Sequence, residues 1–387
     1  MSSILVAIMQ DSSIFLLTGT ESRDDLKKIK QHQLFKCPQC EEPVILKIGS
    51  VKIPHFAHKK HTTCVNLFAE GETMKHLQGK QQLYKFFMQK TKLKVSLEPY
   101  LKMIAQRPDL LLYDANTVQP IEFQCSVIPK EKMTARTGNY LNVGMRPLWI
   151  LSTSEKIQQL PKGITHYSLT HFEEQFLIQA TNSPFLFTYC PIQQQFHYLT
   201  NFLHVENRKY IVSHRNLSME QQSYPFAIPK ALTKHQLENY CQLFFAERKH
   251  FIRNEIRYNR QGVNHPFLRT CYELRIIPSD LPLWIGVPIA FNDGFSSHSV
   301  EWQLALIKYL LSLNKTLLQV TRKELSNFHH VTMKHSKQAK IAVQKYVQLL
   351  VDLDINLGKN MFFQPTEKNL QENILRYLQN EKKIEKI

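Results

Sequence analysis

Arg107-Pro108-Asp109, the turn residues Asp114-Ala115-Asn116 and Ile121-Glu122-Phe123-Gln124 form the stretch whose reading decides the fold. Along Ile121 to Val127 a period of two sends Ile121, Phe123 and Cys125 to one face and Glu122, Gln124 and Ser126 to the other. Asp114-Ala115-Asn116 is turn chemistry, so the two runs read as a β-hairpin that brings Asp109 within reach of Glu122. Two carboxylates that close repel unless a cation sits between them. Mg²⁺ or Mn²⁺ suits such a pair, because hard cations prefer oxygen ligands. The pair therefore points to metal-dependent phosphodiester chemistry or its remnant.

Working outward, Glu72, His76 and Lys80 recur at i, i+4 and i+8 and share one face of a helix, with Leu83, Phe86 and Phe87 continuing it as an apolar stripe. An ordinary solvated Glu/Lys face has the same spacing. Downstream, Arg136 and Tyr140 sit four apart on a second helix, before the strand-like Pro147-Leu148-Trp149-Ile150-Leu151. The order helix, strands, acid pair, helix, strand suits a small α/β nuclease core. It resembles the PD-(D/E)xK nuclease superfamily, with Pro108-Asp109 as the first half of the motif and Glu122-Phe123-Gln124 as the second. The resemblance implies a restriction-endonuclease-like mixed sheet. Gln124 stands where that superfamily carries a lysine that orients water and offsets transition-state charge. An amide can only orient, which leaves the rest to metal-assisted activation of water.

Cys37-Pro38-Gln39-Cys40 is followed by His55-Phe56-Ala57-His58, His61 and Cys64. A C-x-x-C knuckle with more His and Cys close behind reads as structural zinc. Cys37 and Cys40 are the firmest ligands; His58 and Cys64 complete a Cys₃His set, with His55 and His61 as open substitutes. The redox alternative needs a βαβ context that nothing before Cys37 supplies.

Taken together, Phe35 to Cys40, Pro54 to His58, Gly71-Glu72 with His76 and Lys80, Arg107 to Asp109, Ile121 to Ser126, Arg136 with Tyr140, and Trp149-Ile150 follow one another in an order that resembles the competence protein CoiA family. The match covers residues 1 to 155. The resemblance implies a zinc-finger-like module, a nuclease-like domain and a role in natural transformation, where imported single-stranded DNA is processed and recombined. On that basis Asp109 and Glu122 are expected to hold Mg²⁺ or Mn²⁺, Glu72 to add a third carboxylate, and Gln124 to position water. His76, Lys80, Arg136 and Tyr140 are expected on nucleic acid, and a strand-exchange recombinase is an expected partner.

The 387 residues carry a formal charge of +17 and a pI near 9.4, which makes a polyanion the expected partner. No apolar run reaches the roughly 18 residues a membrane helix needs, and no basic leader precedes the broken Ile4 to Leu17 stretch. A soluble, cytoplasmic chain is expected. Seven cysteines, three of them assigned to metal, fit a reducing compartment better than a disulfide scaffold. Cys125, Cys190, Cys241 and Cys271 read as core.

The expected class is α/β (α+β) in three parts. Residues 1–66 hold a hairpin and the zinc module, with a short helix from Arg23 to Lys30, and residues 67–160 the nuclease-like domain. A shift toward Ser, Thr and Gln, then Pro161-Lys162-Gly163, marks the boundary with a mainly helical basic region, 161–387. There a helix from Thr233 to Tyr258 puts Leu237, Tyr240, Cys241, Phe244 and Phe245 on one face and loads its later turns with Arg248, Lys249, Arg253, Arg257 and nearby Arg260. It is either a clamp that stacks single-stranded nucleic acid or a core stripe with a solvated cationic face. Trp284-Ile285-Gly286-Val287 reads as a buried strand, and Val300 to Leu313 and Gln338 to Leu353 as amphipathic helices.

Overall fold

The computed structural model describes residues 3–49, 52–59, 64, 73–115, 117–179, 184–227, 232–334 and 336–357. Glu72, His61, Asn116 and the charged tail at 381–386 lie outside the described residues.

The N-terminal module comprises β1 (Ser3–Ile4), β2 (Val6–Met9), β3 (Ile14–Leu16), α1 (Arg23–His32), β4 (Phe35–Lys36), β5 (Pro43–Lys47) and β6 (His55–His58). Its antiparallel sheet runs β1-β6-β5-β4-β2-β3. The β2–β3 hairpin turns through Gln10 to Ser13, with Asp11 accepting from the Ser13 amide at 2.9 Å. Ser22 caps α1 by accepting from the Asp25 amide, one of the donors a helix start leaves unpaired.

The second sheet begins after α2 (Met74–Lys90) with β7 (Lys94–Leu97), β8 (Leu110–Tyr113) and β9 (Val118–Gln124), then α3 (Lys130–Asn142) and β10 (Leu148–Ser152). It continues through α4 (Glu155–Gln158), β11 (Gly163–Ser168), α5 (His171–Glu174), β12 (Leu177–Ile178), β13 (Phe185–Cys190), β14 (Gln195–Glu206) and β15 (Lys209–Ser218). The strand order is β11-β15-β14-β13-β10-β9-β8-β7, with β12 added on β13. β10 is parallel to both β9 and β13 while the remaining pairs are antiparallel, so the sheet is mixed as expected.

One finding differs from the sequence reading of the domains. The sheet does not stop at Pro161. Gly163 to Ser168 is its half-exposed edge strand, so the polar composition there marks the rim of the sheet and not a linker. The module and the large sheet also share a core. Ile4, Leu17, Phe35 and Phe56 of the module pack in one cluster with Leu83 and Phe87 of α2 and Ile121, Phe123 and Ile150 of the central strands. The opposite face of the sheet is covered separately, by Met133 of α3 with Trp149, Leu151, Leu186 and Val212.

The helical region follows the sheet: α6 (Lys234–Tyr258), α7 (Pro266–Glu273), α8 (Ser299–Ser312), α9 (Arg322–Asn327) and α10 (Ser336–Asp352), around Trp284, Phe295, Trp302 and Tyr346. Trp284 to Val287 is buried but is a turn, not the expected strand. Its backbone polar groups are satisfied by side chains instead of a ladder. Arg248 donates to the carbonyls of Ile285 at 2.7 Å and of Leu281 and Pro282, each at 2.9 Å. Gln303 accepts from the amides of Gly286 and Val287. Arg248 is therefore a core residue, 4% exposed, as are Tyr240 and Phe244. Lys249, Arg253, Arg257 and Arg260 remain on the surface. The aromatic stripe of this helix therefore lies in the core, and its remaining cations form an exposed face. Among the described residues no helix is long and apolar enough to cross a membrane.

Candidate functional site

Two polar clusters stand out, one in each sheet. In the first, the knuckle between β4 and β5, the end of β6 and Cys64 bring the ligand atoms of Cys37, Cys40, His58 and Cys64 within 4.8 Å of one another. Three sulfurs and one imidazole nitrogen at that spacing fit a single tetrahedral ion. His55 is not part of the set; its Nδ1 lies 2.9 Å from the Ile53 carbonyl. Burial pushes the Cys64 thiol up to about 12, and the neighbouring Cys40 and Cys37 add to the push. Burial also lowers His58, with the Arg107 charge acting in the same direction.

The second cluster lies in the large sheet where β8 begins, beside β9. The β8–β9 register pairs Leu110 with Ile121, which puts Asp109 beside Glu122 one step on. The period of two in β9 sends Phe123 to the α2 side. A Cβ on Gly79 would stand 2.1 Å from the Phe123 ring, so α2 lies on β9 at a distance only glycine allows. That contact delivers His76 and Lys80 to Asp109. Thr73 caps the helix by accepting from the His76 amide.

Each acid is matched to cations from the helix on its own side. Asp109 Oδ2 accepts from the Phe123 amide at 2.8 Å and lies 3.2 Å from His76 Nε2, while Lys80 Nζ is 3.8 Å from Oδ1. Burial works against its charge, but His76, Lys80 and Arg136 together hold the Asp109 carboxyl well below the usual carboxylate range. On the α3 side, Arg136 grips Glu122 with two bonds, Nε to Oε1 at 2.8 Å and Nη2 to Oε2 at 2.7 Å, and the Tyr140 hydroxyl donates to Oε1. Burial pushes the Glu122 carboxyl up to about 7, against the pull of Arg136 and with the push of Asp109. Both of its oxygens accept, so the geometry is that of an ionised carboxylate.

The network closes through Glu98, which sequence reasoning passed over, and through a backbone carbonyl of the first motif. Glu98 lies just past β7, accepts from Lys80, and accepts from the Leu5 amide of the N-terminal module at 2.9 Å. The Arg107 carbonyl accepts from Arg136 Nη2 at 3.0 Å. No local pattern marks Glu98, because its partners are 18 and 93 positions away. Gly79 was a usable signal, since a glycine inside an amphipathic helix costs about 1 kcal/mol and is kept for close packing.

The structure thus brings Asp109, Glu122, His76, Lys80, Arg136 and Tyr140 together. It turns the last four inward onto carboxylates and not outward toward phosphate. Lys80 is 1% and Tyr140 0% exposed, because an unpaired buried Asp109 or Glu122 would cost more than sequestering the cations that match it. Gln124 is buried on the same face as Glu122, and its amide donates to the Ser126 carbonyl at 2.9 Å. Cys125, pushed up to about 12 by burial, stays a thiol.

Comparisons with known proteins bear on the family of the chain. Residues 18–66 match the family described as "Competence protein CoiA, N-terminal domain", and residues 72–231 that described as "Competence protein CoiA, nuclease-like domain". The second match ends beyond β15, so it takes in the whole large sheet. The chain is 28% identical over 304 residues to the competence protein CoiA of Bacillus subtilis strain 168, covering 78% of this chain and 77% of that one. No solved structure matches. With the metal-ligand module and the acid-bearing sheet matched in chain order, the chain belongs to the competence protein CoiA family.

Proposed function

We propose that the chain processes DNA during natural transformation, with Asp109 and Glu122 at the centre of a divalent-metal-dependent phosphodiesterase site. One observation supports the reading: Asp109 and Glu122 meet across β8 and β9, with the Phe123 amide donating to Asp109, in a network that holds, among the described residues, three carboxylates with Lys80, Arg136 and His76. Buried ion pairs of this kind are often no more stabilising than apolar residues of the same volume. A network that stability does not require is best understood as chemistry.

The donor set fits a hard cation, since Asp109 and Glu122 offer only oxygen. When bound there, Mg²⁺ or Mn²⁺ would lower the pKa of a water and offset charge on a phosphodiester. The chain's own residues do the rest. Lys80, 3.8 Å from Asp109, supplies from the helix the positive charge that Gln124 does not supply from the strand. His76 and the Phe123 amide fix the Asp109 carboxylate, and Arg136 fixes that of Glu122. Gln124 orients water. DNA, single-stranded in the transformation setting, is held electrostatically by exposed cations such as Lys249, Arg253, Arg257 and Arg260. The Cys37, Cys40, His58 and Cys64 set holds a structural zinc ion, and the protein works in the cytoplasm.

A second reading rests on the completeness of the Glu122 pairing: both oxygens are already engaged by Arg136 and Tyr140. In it the scaffold binds DNA without cutting and supports a strand-exchange recombinase. The two part in the cell. An Asp109→Asn/Glu122→Gln variant, close in shape to the wild type, should abolish transformation if the site cuts. Full transformation by the folded variant would leave the accessory role.

A further inference from the structure

Glu98 carries a combination of features found at no residue expected from the sequence. It is 2% exposed, charged, and held with φ at 47°, in the left-handed region that non-glycine side chains rarely adopt. Its amide donates to the Asp109 carbonyl at 2.9 Å. Its carboxylate divides between two parts of the molecule: Oε1 takes Lys80 and Oε2 takes the Leu5 amide between β1 and β2. Leu5 is fully buried, and β1 pairs with β6, the strand that ends in His58. A single carboxylate therefore connects the sheet that carries the Cys/His cluster with the lysine beside Asp109.

We infer that Glu98 is a positioning residue through which the N-terminal module holds Lys80 in place beside Asp109, so that the acid site is complete only when the module is docked. The inference rests on the reading of the acid site given above. Left-handed strain and a buried charge both cost free energy, and neither contributes packing that an apolar residue could not supply. Both are accounted for if Lys80 must be kept at a set distance from Asp109 and not collapse onto it. With Glu98 present, Lys80 is shared between Glu98 and Asp109; without it, the ammonium loses the nearer of these two carboxylates.

The test uses the full-length, zinc-loaded chain and the variants Glu98→Gln, Lys80→Met, the pair combined, and Glu98→Ala. Each single change breaks the buried Glu98–Lys80 pair and should lower the thermal midpoint, whereas the double variant, with both charges of the pair gone, should recover at least half of the loss. Cleavage of labelled single-stranded DNA should fall about tenfold or more in Glu98→Gln and should not recover in the double variant, because Lys80 is gone. Recovery of stability without recovery of cleavage is what a purely structural ion pair would not produce. Hydrogen exchange over residues 3–9 should quicken about tenfold in Glu98→Ala, which removes the charged acceptor of the Leu5 amide. Should that variant not fold, the Glu98→Gln and Lys80→Met cycle decides alone. Additive midpoint losses in the cycle, or unchanged exchange in a folded Glu98→Ala, would overturn the inference. A wild-type chain that does not cut would count against the phosphodiesterase reading instead, and the midpoints and exchange would still decide on Glu98.

Discussion

The two polar clusters of this protein solve opposite problems. Cys37, Cys40, His58 and Cys64 converge as four donors on one point, an arrangement that suits a single metal ion. Glu98, Asp109 and Glu122 instead each come with a basic partner, drawn from Lys80, His76 and Arg136. Soft ligands without a matched cation make a module whose folding follows its metal. Carboxylates with built-in cations make a site that folds without one and can exchange one. Under the proposed function the first cluster is structural and the second catalytic.

The largest effect is expected at the first cluster. Structural zinc contributes about 10–16 kcal/mol of apparent binding free energy in small modules, so Cys40→Ser or prolonged chelation should release the ion and unfold residues 3–58. Because Phe35 and Phe56 share a core with Leu83 and Phe87, unfolding of the module should also loosen α2. Elemental analysis with thermal unfolding checks this, and a chain purified without chelator that contains no zinc would break the comparison at its first term. Chelation after Cys40→Ser should cost nothing further.

Arg136→Ala comes next. It leaves Glu122, 2% exposed, without its bidentate partner, and should cost about 3–5 kcal/mol in urea unfolding whether or not divalent metal is present. A cost that vanishes with added Mg²⁺ would mean that the ion replaces the arginine. Gly79→Ala is smaller in stability, about 1–3 kcal/mol for overpacking, yet it pushes α2 off Phe123 and with it moves His76 and Lys80. Its effect on DNA cleavage should exceed its effect on the thermal midpoint.

How much of this was legible in the sequence follows from the range over which each residue acts. The hairpin with Asp109 and Glu122 could be read from a period of two and a turn, and α2 and α3 from residues four apart, because those signals are local. The Cys₃His set could be read from spacing, although only the fold separates His58 from His55. Glu98 could not be read, since it acts through Leu5 and Lys80, which are distant in the chain. Arg248 was misread for the same reason: in sequence it belongs to a basic run, but the carbonyls of Leu281, Pro282 and Ile285 draw it inward. The turn at Trp284 to Val287 looked like a strand because burial alone does not say what pairs with the backbone. The alternation of β9 separates Glu122 from Phe123, but it does not reveal that α3 encloses the Glu122 face.

The smallest effect in stability belongs to the surface of α6. Arg253→Glu with Arg257→Glu should change unfolding by no more than about 0.5 kcal/mol per residue. The salt dependence of single-stranded DNA binding should nevertheless flatten by about 0.7 in log–log slope for each phosphate that the variant no longer neutralises. An unchanged slope would move the binding surface off this helix.

Single-turnover cleavage of labelled DNA tests the central claim most directly, comparing wild type with Asp109→Asn at equal zinc content and with Mg²⁺ or Mn²⁺ added or withheld. The wild type should cut only with the added ion, Asp109→Asn should not cut at all, and both should bind DNA. Intact DNA with the zinc-loaded wild type under every condition, or equal cutting by Asp109→Asn, would contradict the assignment of Asp109 and Glu122 to a metal-dependent phosphodiesterase site.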